Sequence, residues 1–77
     1  MQEIAPGVIS DPDILGGRPT LKGHRIAISQ LMGQLAGGMS VAEIQDDYEL
    51  TDEEIQTILA YAASVVKEKD LVYVQHP

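Results

Sequence analysis

The sequence predicts a mainly α domain. Three helices occupy about residues 29–70, a short N-terminal β arm with a small hairpin occupies about 7–28, and a C-terminal strand or tail covers 71–77. Three observations predict it. Two Ser/Thr-x-x-Glu capping boxes, Ser40 with Glu43 and Thr51 with Glu54, stand eleven residues apart. Such boxes satisfy backbone N–H groups at helix starts. From Ile28 onward the apolar residues recur at helical spacing, whereas the stretch before it is broken by glycines and prolines at turn spacing.

Size and composition bound the rest. The chain has 77 residues, of which 44% are hydrophobic, with no Phe, no Trp and three Tyr. That is enough for one domain with an aliphatic core. A core of this size contributes only about 3–5 kcal/mol without a further brace. With no cysteine there is no disulfide, and two histidines at distant positions do not make a Cys/His zinc site. The expected brace is another chain, so a homodimer or a heteromer is anticipated.

The net charge of −7 is unevenly spread. Residues 1–40 balance, and residues 41–77 carry the whole excess. Three of the five bases fall between Arg18 and Arg25. An acidic chain is repelled by phosphate and is a poor general binder of nucleic acid or anionic membrane. No apolar run approaches the ~20 residues of a membrane span. The start, Met-Gln-Glu-Ile-Ala-Pro, lacks the form of a signal peptide. A cytoplasmic location is the expectation.

In the arm, Val8-Ile9 precedes Ser10-Asp11-Pro12-Asp13, a turn entry. Gly16-Gly17 and Lys22-Gly23 mark two reversals, and Arg25-Ile26-Ala27-Ile28 alternates as a half-buried strand does. Ser29 is placed to cap the first helix, whose buried face is Ile28, Leu31, Met32 and Leu35. Gly37-Gly38 ends that helix. Met39 and Ile44 around the first capping box, and Leu50 and Ile55 around the second, have the spacing of hydrophobic staples. The third helix runs from about Asp52 to about Lys67 with an apolar stripe of Ile55, Ile58, Leu59, Ala62, Val65 and Val66. Thr57, Ser64 and Glu68 face away, and Tyr61 sits on the border. Leu71-Val72-Tyr73-Val74, β-branched and aromatic, reads as a terminal strand.

Enzymatic signatures are missing. His24 lies in a turn-rich arm and His76 beside the terminus, neither near a nucleophile in sequence, and His24 reads best as a turn residue. Asp11 and Asp13 open like a calcium loop, but Leu15 and Lys22 occupy ligand positions. The acids Asp46, Asp47, Glu49, Asp52, Glu53 and Glu54 fit a solvated face and a first helical turn favoured by the dipole better than a magnesium site. Gly17–Gly23 lacks the Gly-Lys-[Ser/Thr] ending of a phosphate loop. No catalytic residue, metal or cofactor is expected.

One resemblance is specific. Ile9-Ser10-Asp11-Pro12-Asp13-Ile14-Leu15-Gly16-Gly17-Arg18-Pro19 leads into Leu21-Lys22-Gly23-His24-Arg25-Ile26. Then follow Leu35-Ala36-Gly37-Gly38-Met39-Ser40, Glu43-Ile44, and Leu50-Thr51 with Ile55 and Leu59-Ala60-Tyr61-Ala62. Over roughly Ile9 to Ala63 the chain resembles the domain-of-unknown-function family number 433, small bacterial and archaeal proteins. Glu49 stands where the family often has proline, and His24 where threonine is common. The resemblance implies a homeodomain-like helix-turn-helix unit with a β arm. It also implies a role as the antitoxin of a VapBC-type toxin–antitoxin pair, whose toxin is a PIN-like ribonuclease.

Three functional readings follow. In the first, Arg18, Lys22, His24 and Arg25 form a basic arm that engages the carboxylates of a PIN-like nuclease, since arginines make bidentate carboxylate pairs. In the second, a helix-turn-helix regulator reads operator DNA with the start of the third helix, Gln56 and Thr57 being the base-contacting residues. Asp52, Glu53 and Glu54 oppose that mode, because they would meet phosphates. The third is a structural homodimer whose apolar faces complete each other's cores.

Overall fold

A computed structural model describes the backbone of residues 1–74 and the side chains of residues 1–70. Three antiparallel strands, β1 (Gln2–Ala5), β2 (Val8–Ser10) and β3 (Thr20–Leu21), form a small sheet in the order β1-β2-β3. Three helices follow: α1 (Ile28–Ala36), α2 (Val41–Tyr48) and α3 (Asp52–Val74). The mainly α architecture with an N-terminal β arm is as expected from the sequence.

The arm begins earlier than the expected residue 7. β1 pairs with β2 through Gln2↔Ser10, Glu3↔Ile9 and Ala5↔Val8, with an irregular register between Glu3 and Ala5. Most of its side chains are exposed, so no buried alternation announces it. Gly7 closes the β1–β2 turn at φ +77°, and its amide donates to Glu3 Oε2 at 2.9 Å. Asp11–Ile14 is a turn, with the Asp13 amide donating to Asp11 Oδ1 at 2.9 Å; local turn geometry accounts for both aspartates. A short 3-10 turn, Leu15–Gly17, is held by Ser10 Oγ donating to the Gly17 carbonyl at 2.6 Å.

Two expectations about the join to α1 are corrected. Arg25–Ile28 is not a strand. The chain reverses at Gly23, Ala27 makes a lone bridge to Thr20, and Ile28 already begins α1. Ser29 is therefore inside the helix, and the N-cap residue is Ala27, whose side chain makes no capping bond. The Pro19 carbonyl substitutes, accepting the Ile28 amide at 2.9 Å. The sheet itself satisfies this helix start.

The end of α1 and the starts of α2 and α3 follow the sequence. After Ala36, the Gly38 amide donates to Leu35 O (3.1 Å) and the Met39 amide to Gln34 O (3.0 Å). With Gly38 at φ +106°, this is a Schellman motif, which returns orphan carbonyls to hydrogen bonding. Both capping boxes form. Ser40 N donates to Glu43 Oε1 (3.0 Å) and Glu43 N to Ser40 Oγ (3.1 Å). Thr51 N donates to Glu54 Oε1 (2.9 Å) and Glu54 N to Thr51 Oγ1 (3.1 Å).

The core is aliphatic throughout: Val8, Leu21, Ile28, Leu31, Ile44, Leu50, Ile55 and Ile58, with Met32, Leu35, Met39 and Tyr61 packed against it. Sheet and helices thus share one interior.

The expected terminal strand is instead helix. α3 continues through Leu71–Val74, because no Gly or Pro stands between Asp52 and Val74 and an established helix adds residues cheaply. Residues 75–77 of the expected tail lie outside the described residues. At 23 residues, α3 is about 34 Å long, while α1 and α2 reach only about 12–14 Å. The stripe is therefore buried only at its start. Ile58 is 2% exposed, whereas Leu59, Val65 and Val66 are 38%, 39% and 59% exposed. No helix among the described residues is long and apolar enough to cross a membrane.

Candidate functional site

The basic arm splits into three environments. His24, on the turn after β3, places Nε2 2.7 Å from Glu54 Oε2, both side chains being partly buried. The other oxygen of that carboxylate already caps α3. One carboxylate thus ties the arm turn to the α2–α3 junction, and Nε2 must carry the proton to donate to it. The Thr51 amide holds the Glu54 carboxyl below its ordinary value, partial burial works against this, and His24 adds to the lowering. His24 is consequently spent inside the fold, and its role as an outward-facing contact is not supported by this geometry. No sequence signal links residues thirty positions apart; the tertiary fold alone makes the pair.

Lys22 is exposed and lies 4.0 Å from the equally exposed Glu3 on β1, a separation at which surface pairs contribute little. It remains available to a partner. Arg25 is exposed and has no ion pair among the described residues.

Arg18 occupies a different place. Its Nε donates to the Leu15 carbonyl at 3.3 Å, which orients the side chain while leaving the terminal guanidinium nitrogens free among the described residues. It borders an open groove of about 420 Å³ between the arm and α3, lined also by Pro19, Ile28, Met32, Tyr61 and Val65. His24 meets α3 at Glu54 and Arg18 meets it near Tyr61 and Val65, so the two contacts are about 10–16 Å apart along the helix axis. The basic residues thus face different neighbours, His24 and Arg18 toward two levels of α3 and Lys22 toward β1, rather than gathering on one spot.

The groove was hidden in the sequence. Helical spacing assigned Val65 and Val66 to a buried stripe, and nothing in the pattern shows that the body ends before the helix does.

The start of α3 places the two expected base-contacting residues differently. Thr57, expected to face outward, donates its hydroxyl to Glu53 O at 3.1 Å. It also lies under the β1–β2 turn: a Cβ on Gly7 would come within 2.8 Å of Thr57 Cγ2. Gln56 is exposed beside a shallow depression of about 390 Å³ shared with Pro6, Thr57 and Ser64. Asp52 accepts from Gln45 Nε2 at 2.7 Å, and Glu53 is exposed next to it. A base-contacting helix would thus present carboxylates and a covered threonine. Among the described residues no group of three His, Cys, Asp or Glu side chains is placed to hold a metal ion.

No curated protein and no solved structure matches the chain. The family model described as "Protein of unknown function (DUF433)" matches residues 8–62, a span that begins at β2 and ends where α3 leaves the body. It takes in both capping boxes, the Schellman motif and all four residues of the basic arm, and the chain therefore belongs to the DUF433 family.

Proposed function

We propose that this protein is a noncatalytic, antitoxin-like binding module that engages a carboxylate-rich partner, a PIN-like ribonuclease, through Arg25, Lys22 and Arg18. The single observation that carries the reading is the separation of charge. Three of the five lysines and arginines, all exposed, stand together on the arm, while the start of α3 carries acids and the other two cations, Lys67 and Lys69, lie toward its far end. Arg25 is exposed without an internal partner, and Arg18 keeps its two terminal nitrogens, which are enough for bidentate carboxylate pairing.

The test is to look for a PIN-like ribonuclease reading frame beside the gene and to co-express its product with this chain. Co-purification and suppression of RNA cleavage are expected for the native chain. Both should be lost in Arg18→Glu/Arg25→Glu, whose fold is verified by circular dichroism. Unchanged inhibition by that variant overturns the reading, as does the absence of any such reading frame. Gel shifts across a salt series separate the regulator alternative: a sequence-specific shift by the chain alone, with a steep salt slope, would favour operator binding.

A further inference from the structure

Glycine accepts a left-handed backbone at little cost, whereas an L side chain there crowds the following carbonyl. The turn Leu15–Gly17 winds left-handed, with φ +53° at Leu15, +66° at Gly16 and +86° at Gly17. Two of the three positions are met by glycine, and Leu15 is the exception. Burial repays its strain only in part: the side chain is 40% exposed and is not among those that form or pack against the core. A Cβ added at the neighbouring Gly16 would meet nothing within 4 Å, so the tip of the turn faces open space. Glu49, the other non-glycine residue of positive φ, closes the end of α2 through its amide to Gln45 O, as left-handed residues commonly do. No such helix end accounts for Leu15.

The strain is held rather than relaxed. The Ile14 amide donates to Asp11 O (2.9 Å), the Gly17 amide to Ile14 O (3.1 Å) and Ser10 Oγ to Gly17 O (2.6 Å). Arg18 Nε closes onto the Leu15 carbonyl at 3.3 Å. Strained residues that their surroundings over-determine cluster at binding sites, and a side chain fixed in advance loses little freedom when a partner arrives. We propose that Leu15 is the apolar anchor of the arm, entering a shallow apolar pocket on the partner that is bordered by a carboxylate. The bond from Arg18 brings its guanidinium alongside the leucine, so one partner surface meets both: the carboxylate pairs with the terminal nitrogens and the pocket takes the isobutyl group. This rests on the nuclease-binding reading and adds what charge alone does not supply, since any acidic surface attracts arginines and only one with a matching pocket accommodates Leu15.

Calorimetric titration of the full chain with the product of a neighbouring PIN-like ribonuclease reading frame tests it, alongside urea denaturation of each variant. Leu15→Asn keeps the turn accessible, because asparagine visits the left-handed region readily, while Leu15→Met keeps an apolar side chain of similar volume. Leu15→Asn should leave the urea midpoint no lower than that of the native chain, yet weaken binding by about tenfold or more. Leu15→Met should bind within about threefold of native. Binding by Leu15→Asn at native strength overturns the proposal. So does a loss of binding that comes with a lowered midpoint, which would make Leu15 part of the fold rather than of the contact. Loss of binding in Arg25→Glu with Leu15→Asn unaffected overturns the anchor and spares the nuclease-binding reading, whereas a native chain that finds no such ribonuclease to bind overturns both.

Discussion

The two halves of α3 are one continuous helix in two unlike situations. Its first ten residues are fastened by the Thr51–Glu54 box, by His24 from the arm, by Gly7 over Thr57, and by Ile55 and Ile58 in the core. Beyond Ala62 the described apolar side chains, among them Val65 and Val66, are exposed, and the neighbouring body stops. The apolar stripe nevertheless runs across the boundary, from Ile55 to Val66. The contrast shows that an amphipathic pattern records which face would be buried, while the lengths of the neighbouring elements decide whether anything buries it.

The sharpest way to break the contrast is to truncate each half. Ile58→Ala should destabilise the fold by about 2–5 kcal/mol, the usual range for a filled aliphatic site. Val66→Ala should change the stability of the monomer by less than about 0.5 kcal/mol. Urea denaturation of both variants measures the difference; equal losses would mean that the outer half is packed too. Gly7→Ala comes next. It forces a side chain into a left-handed backbone and against Thr57, and should cost about 1–3 kcal/mol, read as a lower urea midpoint. Thr51→Ala removes one side of the cap and should cost about 1 kcal/mol, with amide exchange accelerating at Glu53 and Glu54 ahead of the rest of the first half.

Acid gives a milder probe of the same fastening. The carboxyls of Glu43 and Glu54 sit below the ordinary value of 4.5, chiefly because the Ser40 and Thr51 amides donate to their charged forms. Groups depressed by folding contribute stability above their unfolded values and lose it as pH falls through their folded ones. Stability should therefore be flat from neutrality to about pH 5 and decline below about 4.5. Glu54→Gln should flatten part of that decline in urea titrations taken across the range.

Much of the framework was readable in the residues. Ser40, Glu43, Thr51 and Glu54 located two helix starts because capping is decided within four residues, and Gly37-Gly38 located a helix end for the same reason. The start of α1 was misplaced onto Ser29 because its amide is satisfied by Pro19, a partner nine residues away through the sheet. Leu71–Val74 looked like a strand because its β-branched and aromatic residues favour one locally, and the uninterrupted helix upstream overrides that preference. At the candidate site, the clustering of Arg18, Lys22 and Arg25 was visible as composition. The diversion of His24 to Glu54 and the groove beside Arg18 were not, since both depend on where separate elements meet.

The uneven pairing between β1 and β2 has a consequence for solubility. β1 is the outer border of the sheet, and a straight border invites stacking by foreign strands. Here the register slips between Glu3 and Ala5, and Glu3 places a negative charge on that border. A strand arriving from another molecule would find its hydrogen-bonding partners out of step and an anion in the way. The sheet is therefore self-limiting: it can brace the helices without offering a template for fibrous growth.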